Sequence, residues 1–192
     1  FIGFGTKAHG IHKLLKAYGI DEMSAFEIKE EAVDRMKKVG VKIEKDINEV
    51  MAKSDIVIGT SRIGGLIKFG MVKKGQIILS LSKPEPEIIP EIAIKAGAMY
   101  AGDGRLINPL LVIPGIVKGT MNARAKKITL GMMIEAANKL AELALPEEIL
   151  PNVFDEGLHS KIAEAVRQAA MDEGVANLTE SELEDDASKG RA

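Results

Sequence analysis

The stretch Phe1-Ile2-Gly3-Phe4-Gly5-Thr6-Lys7-Ala8-His9-Gly10 decides how this chain reads. Two apolar residues run into Gly-x-Gly-x-x-Ala, after which Ile11, Leu14 and Leu15 open a helical pattern that closes at Gly19. The order is strand, glycine turn, helix. Gly3 suits the tight turn, Gly5 leaves room for a pyrophosphate beside the backbone, and Ala8 lets helix and strand pack closely. The helix N-terminus, at Thr6 and Lys7, offers amide donors to the phosphates. A glycine pattern alone is weak, so its second half matters. Met23-Ser24-Ala25-Phe26 reads as a second strand ending at Glu27, roughly the ~20 residues downstream expected of the acid that holds a ribose 2′-hydroxyl. The alternative is an ordinary strand-to-helix turn with Glu27 on the surface. A carboxylate there favours NAD over NADP, because it repels a 2′-phosphate.

Composition, charge and the chain's start bound the rest. The 192 residues are 46% hydrophobic and 28% charged, enough for one good-sized core with room for a helical extension. The net charge of −2 favours neither nucleic acid nor an anionic membrane, and the absence of cysteine excludes disulfides and thiolate metal sites. No signal peptide is visible and no apolar run nears the ~20 residues of a membrane span, so a soluble, cytoplasmic protein is expected. Phe1 and Ile2 alone precede Gly3, whereas a strand averages about 5–6 residues. Since the first residue is also not Met, a segment upstream is expected.

After Glu27, residues 29–38 read as a charged helix burying Ala32, Val33 and Met36, and Val41-Lys42-Ile43 as a short strand. Asp46 is placed to cap a helix carrying Ile47, Val50 and Met51. Residues 55–60 and 76–81 are buried strands, separated by a loop from Gly64 to Ile67 that leads into a short helix. Three prolines from Pro84 to Pro90 mark an ordered turn, with Pro90 opening the helix Glu91–Ala96, and residues 98–101 form another strand before Gly102-Asp103-Gly104. This alternation predicts an α/β fold, a Rossmann-type doubly wound and mostly parallel sheet. From residue 118 the period becomes helical. Ala123, Ile128, Met132, Ala136, Leu140 and Leu143 predict one long helix ending before Pro146, and a second spans about 158–173 with Ile162, Ala163, Val166 and Ala170 inward. Residues 1–176 are thus expected to form one domain with C-terminal helices, and 177–192 a frayed acidic tail.

Ligands of an open parallel sheet sit beyond the carboxyl ends of its strands. That rule collects Gly3, Gly5, Thr6, Lys7 and Ala8 with Glu27, Thr60, Ser61, Ser82, Lys83 and the Gly102–Gly104 loop around one crevice. Thr60 and Ser61 are expected near the nicotinamide-side ribose and Ser82 and Lys83 near the ring; Lys83 suits a substrate carboxylate, or else points to solvent. His9 and His12 fit two exposed helix residues, His159 has no partner close in sequence, and Arg124, Lys126 and Lys127 read as a solvated helix face. A metal site from the three histidines is not expected, because no carboxylate cluster lies at ligand spacing.

Several stretches together resemble the NAD-binding domain of malic enzymes. They are Ser54-Asp55-Ile56-Val57-Ile58-Gly59 with Ser61, residues 79–88 around Pro84-Glu85-Pro86-Glu87, Val112-Ile113-Pro114-Gly115 through Gly119, Asn122 through Ile128, residues 149–155, and Ala165 through Ala176. The likeness implies binding of NAD, with Asn108 at the nicotinamide end and beside the substrate. It also departs from the family. Lys83 and Pro109 stand where the family has malate-contacting asparagines, and the stretch between Glu27 and Ser54 is short. The resemblance implies oxidative decarboxylation of malate to pyruvate, a homo-oligomer such as a dimer, and a divalent metal, Mg or Mn, in the full-length enzyme. It places the catalytic Tyr and Lys and the metal carboxylates on an N-terminal catalytic domain before the glycine loop, so that metal ligands and catalytic groups are not expected on this chain. Two rivals are a dehydrogenase of another carboxylate and a non-catalytic dinucleotide-sensing domain.

Overall fold

Alternate residues of a strand face opposite sides of a sheet, and here both sides are apolar. A computed structural model describes residues 1–146 and 148–178 of the chain and divides it at Asn108 into two compact units. In the first unit the elements run α1 (Thr6–Ala17), β1 (Ser24–Ala25), α2 (Glu30–Val39), β2 (Lys42–Ile43), α3 (Ile47–Lys53), β3 (Ile56–Gly59), β4 (Ile77–Ser80), α4 (Pro90–Lys95) and β5 (Tyr100–Asp103). Strands β3, β4 and β5 pair in parallel in that order, and β1 pairs in parallel with β2. Ile2 forms parallel bridges to Phe26 on one side and Gly59 on the other. The start of the chain therefore lies between the two sheets, in the order β2-β1-Ile2-β3-β4-β5.

The faces sort by alternation. Phe1, Ile58 and Leu79 join one core with Ala8 and Ile11 of α1 and Met36 of α2. Ile2, Val57 and Ile78 join the other, with Val50 and Met51 of α3 and Ala93 of α4. This is the doubly wound, Rossmann-type α/β sheet that the sequence predicts. Asp46 caps α3 by accepting from the Glu49 amide at 3.0 Å, and Pro90 occupies the first turn of α4. Strand β5 ends later than the pattern suggests. Gly102 and Asp103 continue its ladder, opposite Leu79 and Ser80, rather than starting the loop. Beyond Gly64–Ile67 the short helix is a single 3₁₀ turn, Phe69–Met71.

The second unit is helical: α5 (Ile113–Asn122), α6 (Leu130–Glu142) and α7 (Leu158–Asp172). Its core comprises Ile116, Ala123, Met132, Ala136, Leu158, Ile162, Val166 and Ala170. Helices α5 and α7 approach closely because Gly115 and Gly119 carry no side chain. A Cβ on Gly119 would stand 2.4 Å from the Ala163 carbonyl oxygen. The single long helix expected around Ala123 to Leu143 is two helices. Ala123 caps α5, Arg124 takes a left-handed φ of +49°, and the Thr129 hydroxyl accepts from the Met132 amide at 3.1 Å to start α6. A threonine whose hydroxyl supplies the first acceptor favours a new start over continuation. Ile128 is correspondingly exposed, and Lys126 and Lys127 lie in the connection rather than on a helix. Asn177 and Leu178 are the described part of the expected acidic tail; the remainder lies outside the described residues.

Candidate functional site

Gly3 is the tightest point of the glycine turn. Its φ is +84°, and a Cβ would lie 2.7 Å from the Ser61 Cα, so glycine is required by conformation and by space. Gly5 caps α1 in an extended conformation, and nothing stands within 4 Å of where its Cβ would be. That is open room beside a helix start whose first turn holds no acid. Thr6 and Lys7 are exposed there, while Ala8 is fully buried against the sheet core. Phe4, between the glycines, is also fully buried, with Phe1 and His12 packed edge-on to it at 5.6 and 5.8 Å. His12 is thus a core residue, not an exposed one. Burial, together with Lys16 and His9, lowers its pKa.

Glu27 follows β1 and faces the glycine turn. One oxygen accepts the Phe4 amide at 2.9 Å; the other accepts the amides of Ile28 and Lys29 at 2.8 and 3.0 Å. Burial alone would raise its pKa, but these three amides and the nearby Lys29 charge together hold it below the usual carboxylate range. Two carboxylate oxygens offer about four lone-pair sites. Three amides leave capacity for a further donor. Arg35 of α2 reaches the Phe4 carbonyl at 3.4 Å, so both sides of that peptide are held.

The other strand ends are stitched together by the residues singled out from the sequence. Lys7 Nζ donates to the Leu81 carbonyl at 2.8 Å, and Thr60 Oγ1 donates to the Gly3 carbonyl at 3.0 Å. Ser61 and Ser82 both donate to Glu87, which is fully buried. Glu87 is the residue that reading the sequence missed. Its visible signal is an acid in a proline-rich turn that follows two strands, each with a serine two residues past its end.

Beside this network lies a cleft of about 480 Å³, lined among others by Ser82, Lys83, Pro84, Asp103, Gly104 and Arg105. Asp103 is 6% exposed and takes the Arg105 amide at 2.9 Å and its Nε at 2.8 Å. Burial pushes this carboxyl up, yet the Arg105 contacts outweigh it and leave it below its ordinary value. Lys83 is exposed, with its stem over Gly104. Asn108 is half-buried and is not part of the cleft's lining. In the helical unit, His159 Nε2 lies 2.8 Å from the Leu110 carbonyl, a partner 49 residues away in sequence. Among the described residues no group of three or more His, Asp or Glu side chains could hold a metal ion, and no helix is long and apolar enough to cross a membrane.

No family model matches the chain. Curated relatives do. It is 39% identical over 170 residues to the NAD-dependent malic enzyme 1 of Bacillus subtilis, covering 88% of this chain and 39% of that protein. It is 33% identical over 202 residues to the bifunctional malic/malolactic enzyme of the same organism, covering 92% and 49%. Among solved structures, a malic enzyme from Pyrococcus horikoshii Ot3 superposes with a TM-score of 0.81 at 28% identity, over 93% of this chain and 48% of that one. The chain therefore spans less than half the length of each.

Proposed function

Because the chain belongs to the malic enzyme family, we propose that it supplies the dinucleotide-binding part of an enzyme that oxidises malate to pyruvate and carbon dioxide with NAD. The observation that carries this reading is the junction of the glycine turn and Glu27. Gly3 makes the turn, Gly5 leaves the space, and the Phe4 amide binds the acid that would receive the ribose. These residues fit the cofactor. Gly3, Gly5, Thr6 and Lys7 would hold the pyrophosphate, with Ala8 packing α1 close to the sheet, and Glu27 would hold the adenosine ribose, while Thr60, Ser61, Ser82 and Asn108 shape the nicotinamide end.

NAD supplies the acceptor for the hydride that leaves the carbinol carbon of malate. The hydroxyl proton would pass to an acid–base group of the catalytic domain to give oxaloacetate, which would then lose carbon dioxide and take a proton at carbon to give pyruvate. Lys83 is proposed to meet a substrate carboxylate, with Asn108 near it. The described residues do not fit a divalent metal. We further propose that residues 1–176 act as one dinucleotide-binding domain in a cytoplasmic homo-oligomer, together with a catalytic domain carrying the acid–base groups.

Calorimetric titration of the chain tests the reading. NAD should bind more tightly than NADP, and Glu27→Ala should cost about 1–3 kcal/mol of NAD affinity if the ribose bonds are charge-assisted. Equal or tighter binding of NADP removes Glu27 from this role.

A further inference from the structure

Two carboxylates buried at the ends of β3, β4 and β5 have no task in the proposed chemistry: Asp103 is taken up by Arg105, whereas Glu87 ties two loops together. We propose that Glu87 is a positioning residue for the nicotinamide half of the dinucleotide, fixing the loops after β3 and β4 through Ser61 and Ser82. This rests on the dinucleotide reading above and deepens it.

Glu87 is fully buried, and the partners that hold it are serines and amides rather than cations. Its Oε1 accepts the Ser61 amide at 2.8 Å, the Ser61 hydroxyl at 2.9 Å and the Ser82 hydroxyl at 2.5 Å, while Oε2 accepts the Ser82 amide at 3.4 Å. The serines are acceptors in their turn. Ser82 Oγ takes the Arg62 amide at 2.7 Å, and Ser61 Oγ takes the Ile63 amide at 3.1 Å. Two successive loop amides thus hang from two hydroxyls that end on one carboxylate.

The loop held in this way is strained. Arg62 has a φ of +65°, which residues other than glycine adopt where their surroundings hold them there. The carboxylate is also seated directly against the end of β3: a Cβ on Gly59 would lie 2.5 Å from the Glu87 Cδ. Burying a carboxylate is costly unless its lone pairs are filled, and this one gathers four donors from the two strand ends. Ser82 lines the cleft, and both strand ends lie on the far side of the glycine turn from Glu27. In a doubly wound sheet the two halves of a dinucleotide lie on either side of the point where strand order reverses. Here that point is Ile2, with β1 on one side and β3 on the other. The adenosine half then falls to the glycine turn and Glu27, and the nicotinamide half to the loops that Glu87 holds.

A ligand pair separates positioning from plain stabilisation: NADH carries the nicotinamide half, and ADP lacks both its ribose and its ring. Glu87→Gln keeps the volume but turns an amide NH2 toward groups that are all donors. In titrations of the 192-residue chain, wild type should bind NADH more tightly than ADP. Glu87→Gln should weaken NADH about tenfold, the loss of roughly one net hydrogen bond, and leave ADP within about twofold. If Glu87→Gln does not fold by circular dichroism, Ser82→Ala should show the same selectivity at about threefold, since it removes one donor and keeps the carboxylate. Equal losses for both ligands, or an unchanged NADH affinity, overturn the role. So does a wild-type chain that binds the two ligands equally. A wild type that binds neither overturns the dinucleotide reading itself, and this inference with it.

Discussion

The two units of this chain fill their interiors differently. Every buried polar or charged side chain among the described residues lies in the first unit: His12, Glu44, Gln76, Ser80, Ser82, Glu87 and Asp103. The core of the helical unit is wholly apolar. An apolar interior needs close fit and little else. A polar interior needs each donor and acceptor matched, which fixes loops in one arrangement. Ser82, Glu87 and Asp103 supply such groups at the carboxyl ends of β4 and β5 beside the proposed site, and Gln76 supplies one at the amino end of β4.

If that contrast is right, the helical unit should be most sensitive to volume. Gly119→Val inserts atoms where even a Cβ would stand 2.4 Å from a backbone oxygen. It should destabilise the chain by about 3 kcal/mol or more in denaturant titration, because overpacking against backbone cannot be relieved by a rotamer change. A neutral result would mean that α5 and α7 separate more readily than their packing implies.

The sheet unit should instead be sensitive to chemistry at constant size. Gln76 is fully buried; its Nε2 donates to the Met51 and Ser54 carbonyls, each at 2.8 Å, and its Oε1 accepts the Lys73 amide at 3.1 Å. Gln76→Leu keeps the bulk and leaves those groups without this partner, for an expected cost of about 2 kcal/mol. Unchanged stability would show that the fit, not the hydrogen bonding, of that side chain matters.

A third effect shows in acid. Glu44 is 4% exposed and is held first by the hydrogen bond to Lys53, with Lys42 adding to it; together they bring its pKa from 4.5 down to about 2. A carboxylate with a depressed folded-state pKa stabilises above its unfolded value, and that stability is lost as pH falls through the folded one. Melting temperature should therefore drop as pH falls from about 4.5 toward 2, and Glu44→Gln should flatten this part of the curve. The smallest effect is expected at the surface. Lys73 and Asp55 pair at 3.1 Å with the carboxylate side chain 94% exposed. Asp55→Ala should change stability by less than about 0.5 kcal/mol, because solvent screens such a pair.

The α/β alternation, the glycine turn and the acid 22 residues beyond Gly5 are legible in the order of the amino acids alone. Apolar strands at residues 55–60 and 76–81 and turn residues such as Gly3, Asp46 and Pro90 act locally, and a local signal is written in consecutive residues. Periodicity misled at Ala123–Leu143. Ala123 and Met132 are buried in one core from two helices, and a spacing of burial does not record the break that Arg124 and Thr129 make. The partners of polar side chains were beyond its reach for the same reason. Thr60, Ser61, Ser82 and Lys7 stood out as ligand contacts, and their polar groups in the structure bond the protein: Gly3, Glu87 and the Leu81 carbonyl. Glu87 lies 26 residues from Ser61 and five from Ser82. Only the parallel pairing of β3 with β4 brings those three together, and a hydrogen bond acts over about 3 Å of space whatever the distance along the chain.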